Sequence, residues 1–185
     1  VWLRNLRFSI GLRYELYDYD KFMYMEDNPV FNDVKAEHFF TYFANLHYDT
    51  YDRPYFPSRG VNFRAGYTLY TDNFTQYDDH TPFSAVASAF EGVIPITNRF
   101  SILPSVYGRF LIGKKIPYSK QNTMGGDILE KYLPYQLPFM GTSHVELMEN
   151  SLIIGGMKLR QRMGGNHYIT CGMNYALSSH KFEGL

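Results

Sequence analysis

The feature that most limits the fold of this chain is a period of two, sustained over unusually long runs. Leu6, Phe8, Ile10, Leu12, Tyr14 and Leu16 alternate with Asn5, Arg7, Ser9, Gly11, Arg13 and Glu15. Phe40, Tyr42, Ala44, Leu46 and Tyr48 alternate with Thr41, Phe43, Asn45 and His47. Val61, Phe63, Ala65, Tyr67 and Leu69 alternate with Asn62, Arg64, Gly66 and Thr68. Strand side chains point to opposite faces in turn, whereas a helix repeats every 3.6 residues, so this pattern predicts strand. Four further runs, 83–94, 100–112, 151–163 and 169–177, keep it less strictly. In them Glu91 opposes Phe90 and Ile94, Arg109 opposes Phe110 and Ile112, and Lys158, Arg160 and Arg162 oppose Met157 and Leu159. About seven strands follow, and no segment reads as a helix.

Two environments accept such strands. In a soluble β-sandwich the charged face meets water. In an antiparallel up-and-down transmembrane β-barrel the apolar face meets lipid and the charges line the lumen. No run reaches the ~20 apolar residues of a spanning helix, which leaves the barrel untouched, since alternation hides its hydrophobicity. Two observations favour the barrel. Long and short connections alternate along the chain: 20–34, 50–59, 72–82, 95–99, 113–149 and 163–166. Outer-membrane barrels sort their loops in this way, and sandwiches have no reason to. Aromatic residues also make up 18% of the chain, 17 of them Tyr, a residue suited to apolar–aqueous boundaries. Formal net charge is zero, so nothing argues for nucleic acid as a partner.

The segment "YDRPYFPSRG" at 51–60 interrupts the alternation. Pro54 and Pro57 lack the N–H that a ladder needs, Asp52 can cap downstream backbone, and Gly60 can take a positive φ and relaunch a strand. By loop parity this corner is expected on the periplasmic side. Its pattern, Asp52 followed by Phe56-Pro57-Ser58-Arg59-Gly60, resembles the turn of the bacterial surface antigen barrels. These are sixteen-stranded outer-membrane proteins of the BamA and TamA type, including barrels fused behind patatin-like phospholipase domains. "TMGGD" at 123–127, with Gly125 and Gly126, is similar to the opening of that family's long external loop, and "SLIIGGMKLRQRMGGNHYIT" to the strand and turn after it. The order of parts agrees across nearly the whole chain.

The resemblance implies a non-enzymatic module of the bacterial outer membrane that anchors or translocates a passenger. Its partners would be outer-membrane lipid, a passenger or N-terminal domain of the same parent chain, and possibly a second copy in a homodimer. It implies one β-barrel domain over 1–185, partial, with about seven to eight strands. The ending "HKFEGL" lacks the family's terminal aromatic strand, so the chain reads as a fragment of the C-terminal half without the last strands. The external loop, 113–149, is expected to fold toward the lumen because Leu129, Leu133, Tyr135, Leu137 and Phe139 are too apolar for a solvated linker. It lacks the family's Arg-Gly tip; Lys131-Tyr132 is the nearest substitute, expected to reach carboxylates such as Glu91. A porin-like channel and a soluble all-β ligand-binding domain are the alternatives.

Little in the chain points to catalysis, and no catalytic, cofactor-binding or metal-binding residue is assigned. There is no Gly-x-Ser-x-Gly elbow, so a phospholipase activity would belong to a separate domain. The single cysteine, Cys171, lies on an apolar strand face, and the six histidines show no ligand spacing. Asp78-Asp79-His80 is the one cluster with metal-site chemistry, and loop position favours plain solvation. The charges expected on the lumenal face are Arg7, Arg13, Glu15, Arg64, Glu91, Arg109, Lys158, Arg160 and Arg162. Three cations on one face of one strand repel unless answered, and Glu15 and Glu91 are their expected partners.

Overall fold

The computed structural model describes residues 5–17, 37–71, 82–114, 116–131, 133, 135–143, 147–165 and 167–179. Seven long antiparallel strands form one sheet: β1 (Leu6–Tyr17), β2 (Glu37–Asp49), β3 (Gly60–Thr71), β4 (Phe83–Pro95), β5 (Phe100–Ile112), β9 (Ser151–Gly164) and β10 (His167–Ser179). They run as a meander in the order β1-β2-β3-β4-β5-β9-β10, and the sheet is not closed among the described residues. The fold is all-β and fits part of an up-and-down barrel. Strands of 12 to 14 residues are long enough to cross a bilayer at a tilt, which takes roughly 9–11 residues.

The register keeps the alternation in phase across the sheet. Leu12 sits opposite Tyr42 and Tyr42 opposite Leu69, while Arg13 sits opposite Thr41 and Thr41 opposite Tyr70. One face therefore gathers every even residue of β1 and its neighbours in register. On that face Phe8, Ile10 and Leu12 are 68%, 72% and 71% exposed, and Tyr175, Met173 and Ile169 of β10 are exposed likewise. The opposite face holds the core: Phe39, Tyr70, Phe83, Ala85 and Leu111 in one cluster, and Ala89, Tyr107, Leu137, Leu152 and Ile154 in another.

What fills that second face is the segment between β5 and β9. The sequence shows no strand there, but the structure has three short ones: β6 (Asn122–Met124), β7 (Gln136–Leu137) and β8 (Leu147–Glu149). They form a separate sheet in the order β7-β6-β8, with β6 and β7 parallel. Runs of two or three residues are too short to show a period, which is why alternation misses them. A single 3-10 turn, Tyr118–Lys120, precedes them.

The meander also sorts the connections. Among the described residues, the connections at 50–59 and 96–99 emerge at one end of the sheet, and the segment after β5 at the other.

Candidate functional site

Lys120 is the centre of the filled face. The 3-10 turn delivers its side chain into a ring of aromatics, where it is 0% exposed. Its ammonium pairs with Glu15 of β1 and donates to Tyr17 Oη at 2.9 Å and Tyr135 Oη at 3.5 Å. The rings of Tyr17, Phe39 and Tyr70 lie 4.3, 4.8 and 5.2 Å from Nζ. Burial alone would push this ammonium below the ordinary lysine range, and the hydrogen bond to Glu15 opposes that. A buried cation is tolerable only when a carboxylate and oriented π-faces replace its water. The same residue's carbonyl accepts from Arg109 Nη1 of β5 at 2.9 Å. In a flat sheet β1 and β5 would lie about 19 Å apart, so one residue meeting both implies a sheet curled around the segment.

Arg109 is the second anchor, buried on the same face. Its guanidinium donates to Asn122 Oδ1 and lies 4.0 Å over the Tyr135 ring. Asn122 Nδ2 returns hydrogen bonds to the carbonyls of Arg109 at 2.9 Å and Asn150 at 3.0 Å. Thus β6 is held to the wall through the side chain of its first residue, Asn122. Farther on, Gly125 and Gly126 adopt φ of 152° and 71°. Gln136 Nε2 donates to the Gly125 carbonyl at 2.6 Å, and Gly126 bridges Phe139. Met140 then exchanges backbone hydrogen bonds with the Asn174 side chain of β10, 3.2 Å for N–H to Oδ1 and 3.4 Å for Nδ2 to O.

At the short-turn end stands the corner. The Asp52 carboxylate accepts from the Ser58 hydroxyl and from the backbone N–H groups of Ser58 at 2.8 Å and Arg59 at 3.4 Å. Those bonds hold its pKa down to about 2. Thr50 and Val61 close the neck through bonds of 2.9 and 3.1 Å, and Gly60 turns there with φ 111°. Phe56 has φ 47° and stacks on Tyr168 of β10, centroids 5.3 Å apart and planes 4° from parallel. Arg160 of β9, 6% exposed, donates to the Pro57 carbonyl and lies 5.6 Å from the Tyr168 ring. So the corner joining β2 to β3 reaches across to β9 and β10, with β4 and β5 between them in the sheet.

Not all the expected partners meet. Glu15 answers Lys120 and Arg13, the latter at 3.0 Å, instead of the β9 cations. Glu91 accepts from the Tyr107 hydroxyl at 2.6 Å. Lys131 is exposed, and Tyr132 lies outside the described residues, as does Asp78-Asp79-His80. The cation that the segment places against the wall is Lys120, eleven residues upstream of Lys131. Arg7, Arg64, Lys158 and Arg162 share the filled face by register and have no carboxylate within 4.0 Å among the described residues. Sequence reading missed Lys120, because it sits in a polar stretch, Ser119-Lys120-Gln121-Asn122-Thr123, that gives no local sign of burial. The free Cys171 is exposed on the apolar face, and no metal-holding cluster of His, Cys, Asp or Glu exists among the described residues.

A family model described as the OMP85 superfamily matches residues 1–182. The chain belongs to the OMP85 superfamily. No curated protein and no solved structure matches it. Members of the superfamily are outer-membrane proteins, which accounts at family level for the exposed apolar face, and this OMP85 sheet is a bacterial surface antigen type of barrel in part.

Proposed function

We propose that the chain is a non-enzymatic outer-membrane β-barrel module that anchors or translocates a passenger domain of its parent protein. One observation carries the reading. Within the seven strands, Arg7, Arg13, Glu15, Asp49, Arg64, Glu91, Arg109, Lys158, Arg160 and Arg162 all fall on the filled face by register. No Asp, Glu, Lys or Arg falls on the other face, where Leu, Ile, Phe, Met, Val and Tyr predominate and those of β1 and β10 are exposed. Soluble monomers rarely expose apolar patches of more than a few hundred Å². Lipid is the medium that suits such a face.

Phe63 and Arg64, neighbours on β3, give the test. In full-length protein with Cys171→Ser, Arg64→Cys should react with a water-soluble maleimide and Phe63→Cys should not. Labelling at Phe63 with protection at Arg64 would reverse the two faces and end the membrane reading. Phe8→Arg should cost about 2–4 kcal/mol of folding stability in lipid if its side chain lies near the midplane. For the passenger, deleting 1–185 from the parent should move it out of the outer-membrane fraction; retention there would remove the anchoring role.

A further inference from the structure

Between the filled segment and the sheet lies a hollow of about 800 Å³. It exists because β4 presents Ala85, Ala87 and Ala89 in succession to that face, where larger side chains would fill the space. Its roof is the segment itself, through Leu129, Leu133 and Leu137. Three guanidinium groups, Arg13, Arg64 and Arg109, line it against one carboxylate, Glu130. Two of the three are committed, Arg13 to Glu15 and Arg109 to the Lys120 carbonyl and Asn122. Arg64 is not. Its Nε donates to Asn62 Oδ1 at 3.2 Å, and no carboxylate lies within 4.0 Å of its terminal nitrogens among the described residues. Asn62 in turn donates its Nδ2–H to His47 Nε2 at 3.0 Å, so the Asn62 side chain is occupied on both sides and the outer guanidinium edge of Arg64 is left for a ligand.

We infer that the hollow binds an anion with an apolar body, a single-chain carboxylate being the simplest member of the class. The head would take the free guanidinium edge of Arg64, which suits a planar carboxylate in bidentate fashion. The chain would lie along the alanine wall beneath the three leucines. The volume is within the roughly 300–1,000 Å³ of ordinary ligand sites, and the lining mixes the alanines and leucines with Thr41, Asn45, Thr68 and Ser88 beside the arginines. The inference adds a ligand to the membrane module and does not depend on what the passenger is.

The probe is octanoate, with octanamide as its uncharged counterpart. Full-length protein in nanodiscs of zwitterionic lipid is dialysed against each labelled compound, with empty nanodiscs as the blank. Entry into nanodiscs, read by gel filtration, reports on the membrane reading separately. Saturable octanoate binding near one per chain is expected, with octanamide about tenfold weaker. Arg64→Gln should lose about tenfold, and Ala87→Leu, which narrows the hollow at the alanine wall while leaving every arginine, should weaken binding by a similar factor. Arg7→Gln, on the same face but outside the hollow, should change nothing. Equal binding of octanoate and octanamide, binding weakened by neither Arg64→Gln nor Ala87→Leu, or no binding above the blank would overturn the inference.

Discussion

Two pieces of chain reach over the charged face from opposite ends, and they are held by opposite means. The corner at 50–60 is held mostly by itself: Asp52 binds residues six and seven positions away, and Thr50 binds Val61. Only Phe56 and Pro57 reach distant strands. The segment from 113 to 150 is held mostly by others. Lys120 meets Glu15, 105 residues earlier, and Met140 meets Asn174, 34 residues later. The difference teaches that the corner keeps its shape as a local unit, whereas the segment has no shape without the wall. Removing a long-range anchor should therefore release the segment as a whole, and removing a corner contact should mainly loosen a turn.

The strongest test of that contrast is Lys120→Ala. It leaves Glu15, a half-buried carboxylate, with Arg13 as its remaining charge partner. Breaking one side of a buried pair costs about 3–5 kcal/mol. The expected outcome is a lower denaturant midpoint together with new protease cleavage between 127 and 140. Lys120→Met combined with Glu15→Gln removes both charges and should recover most of the loss. If the single variant leaves the segment protected, the anchor is elsewhere and the contrast fails.

Next in size is Gly60→Val. A Cβ there would stand 2.4 Å from the Thr50 carbonyl oxygen, at a φ that β-branched residues rarely adopt. The cost should be about 3 kcal/mol, seen as a reduced yield of folded protein. Ser58→Ala removes one exposed hydroxyl from Asp52 but leaves both N–H bonds, and should cost about 1 kcal/mol or less. Equal yields for the two variants would mean that the neck at Gly60 does not define the corner.

The same division decides what could be read from the sequence. All seven long strands were legible, with ends within a few residues, because alternation over 12 or more residues has no helical counterpart. The corner was legible in kind, since Asp, Pro and Gly act on their immediate neighbours. Its crossing to Arg160 and Tyr168 was not, because nothing near Phe56 names a partner over a hundred residues away. Lys120 was missed for the same reason. Glu15 had many candidate cations, and the choice among them depends on how the sheet curls, which no local pattern carries. Arg160 shows the converse: its expected carboxylate is replaced by a backbone carbonyl, a partner available at every residue and so invisible in side-chain chemistry.

The smallest effect is set by Asp52. Its folded pKa is about 2, held there first by the Ser58 hydroxyl and then by the two backbone N–H groups. An unfolded Asp titrates near ~3.9. A depressed carboxylate contributes stability that is complete above the unfolded value and lost as pH falls toward the folded one. The corner should therefore be insensitive to pH above about 4 and loosen between about 4 and 2. Because Asp52 is exposed to solvent, the change should be confined to the turn and weaken in high salt. The segment's anchor offers a control within the same molecule. Hydrogen exchange at the Ser58 and Arg59 amides should quicken across that window, corrected for intrinsic rate, and Asp52→Asn should flatten the response. A step of equal size at the Met140 amide, bonded to the uncharged Asn174, would show that the whole face opens together and that the corner is not a separate local unit.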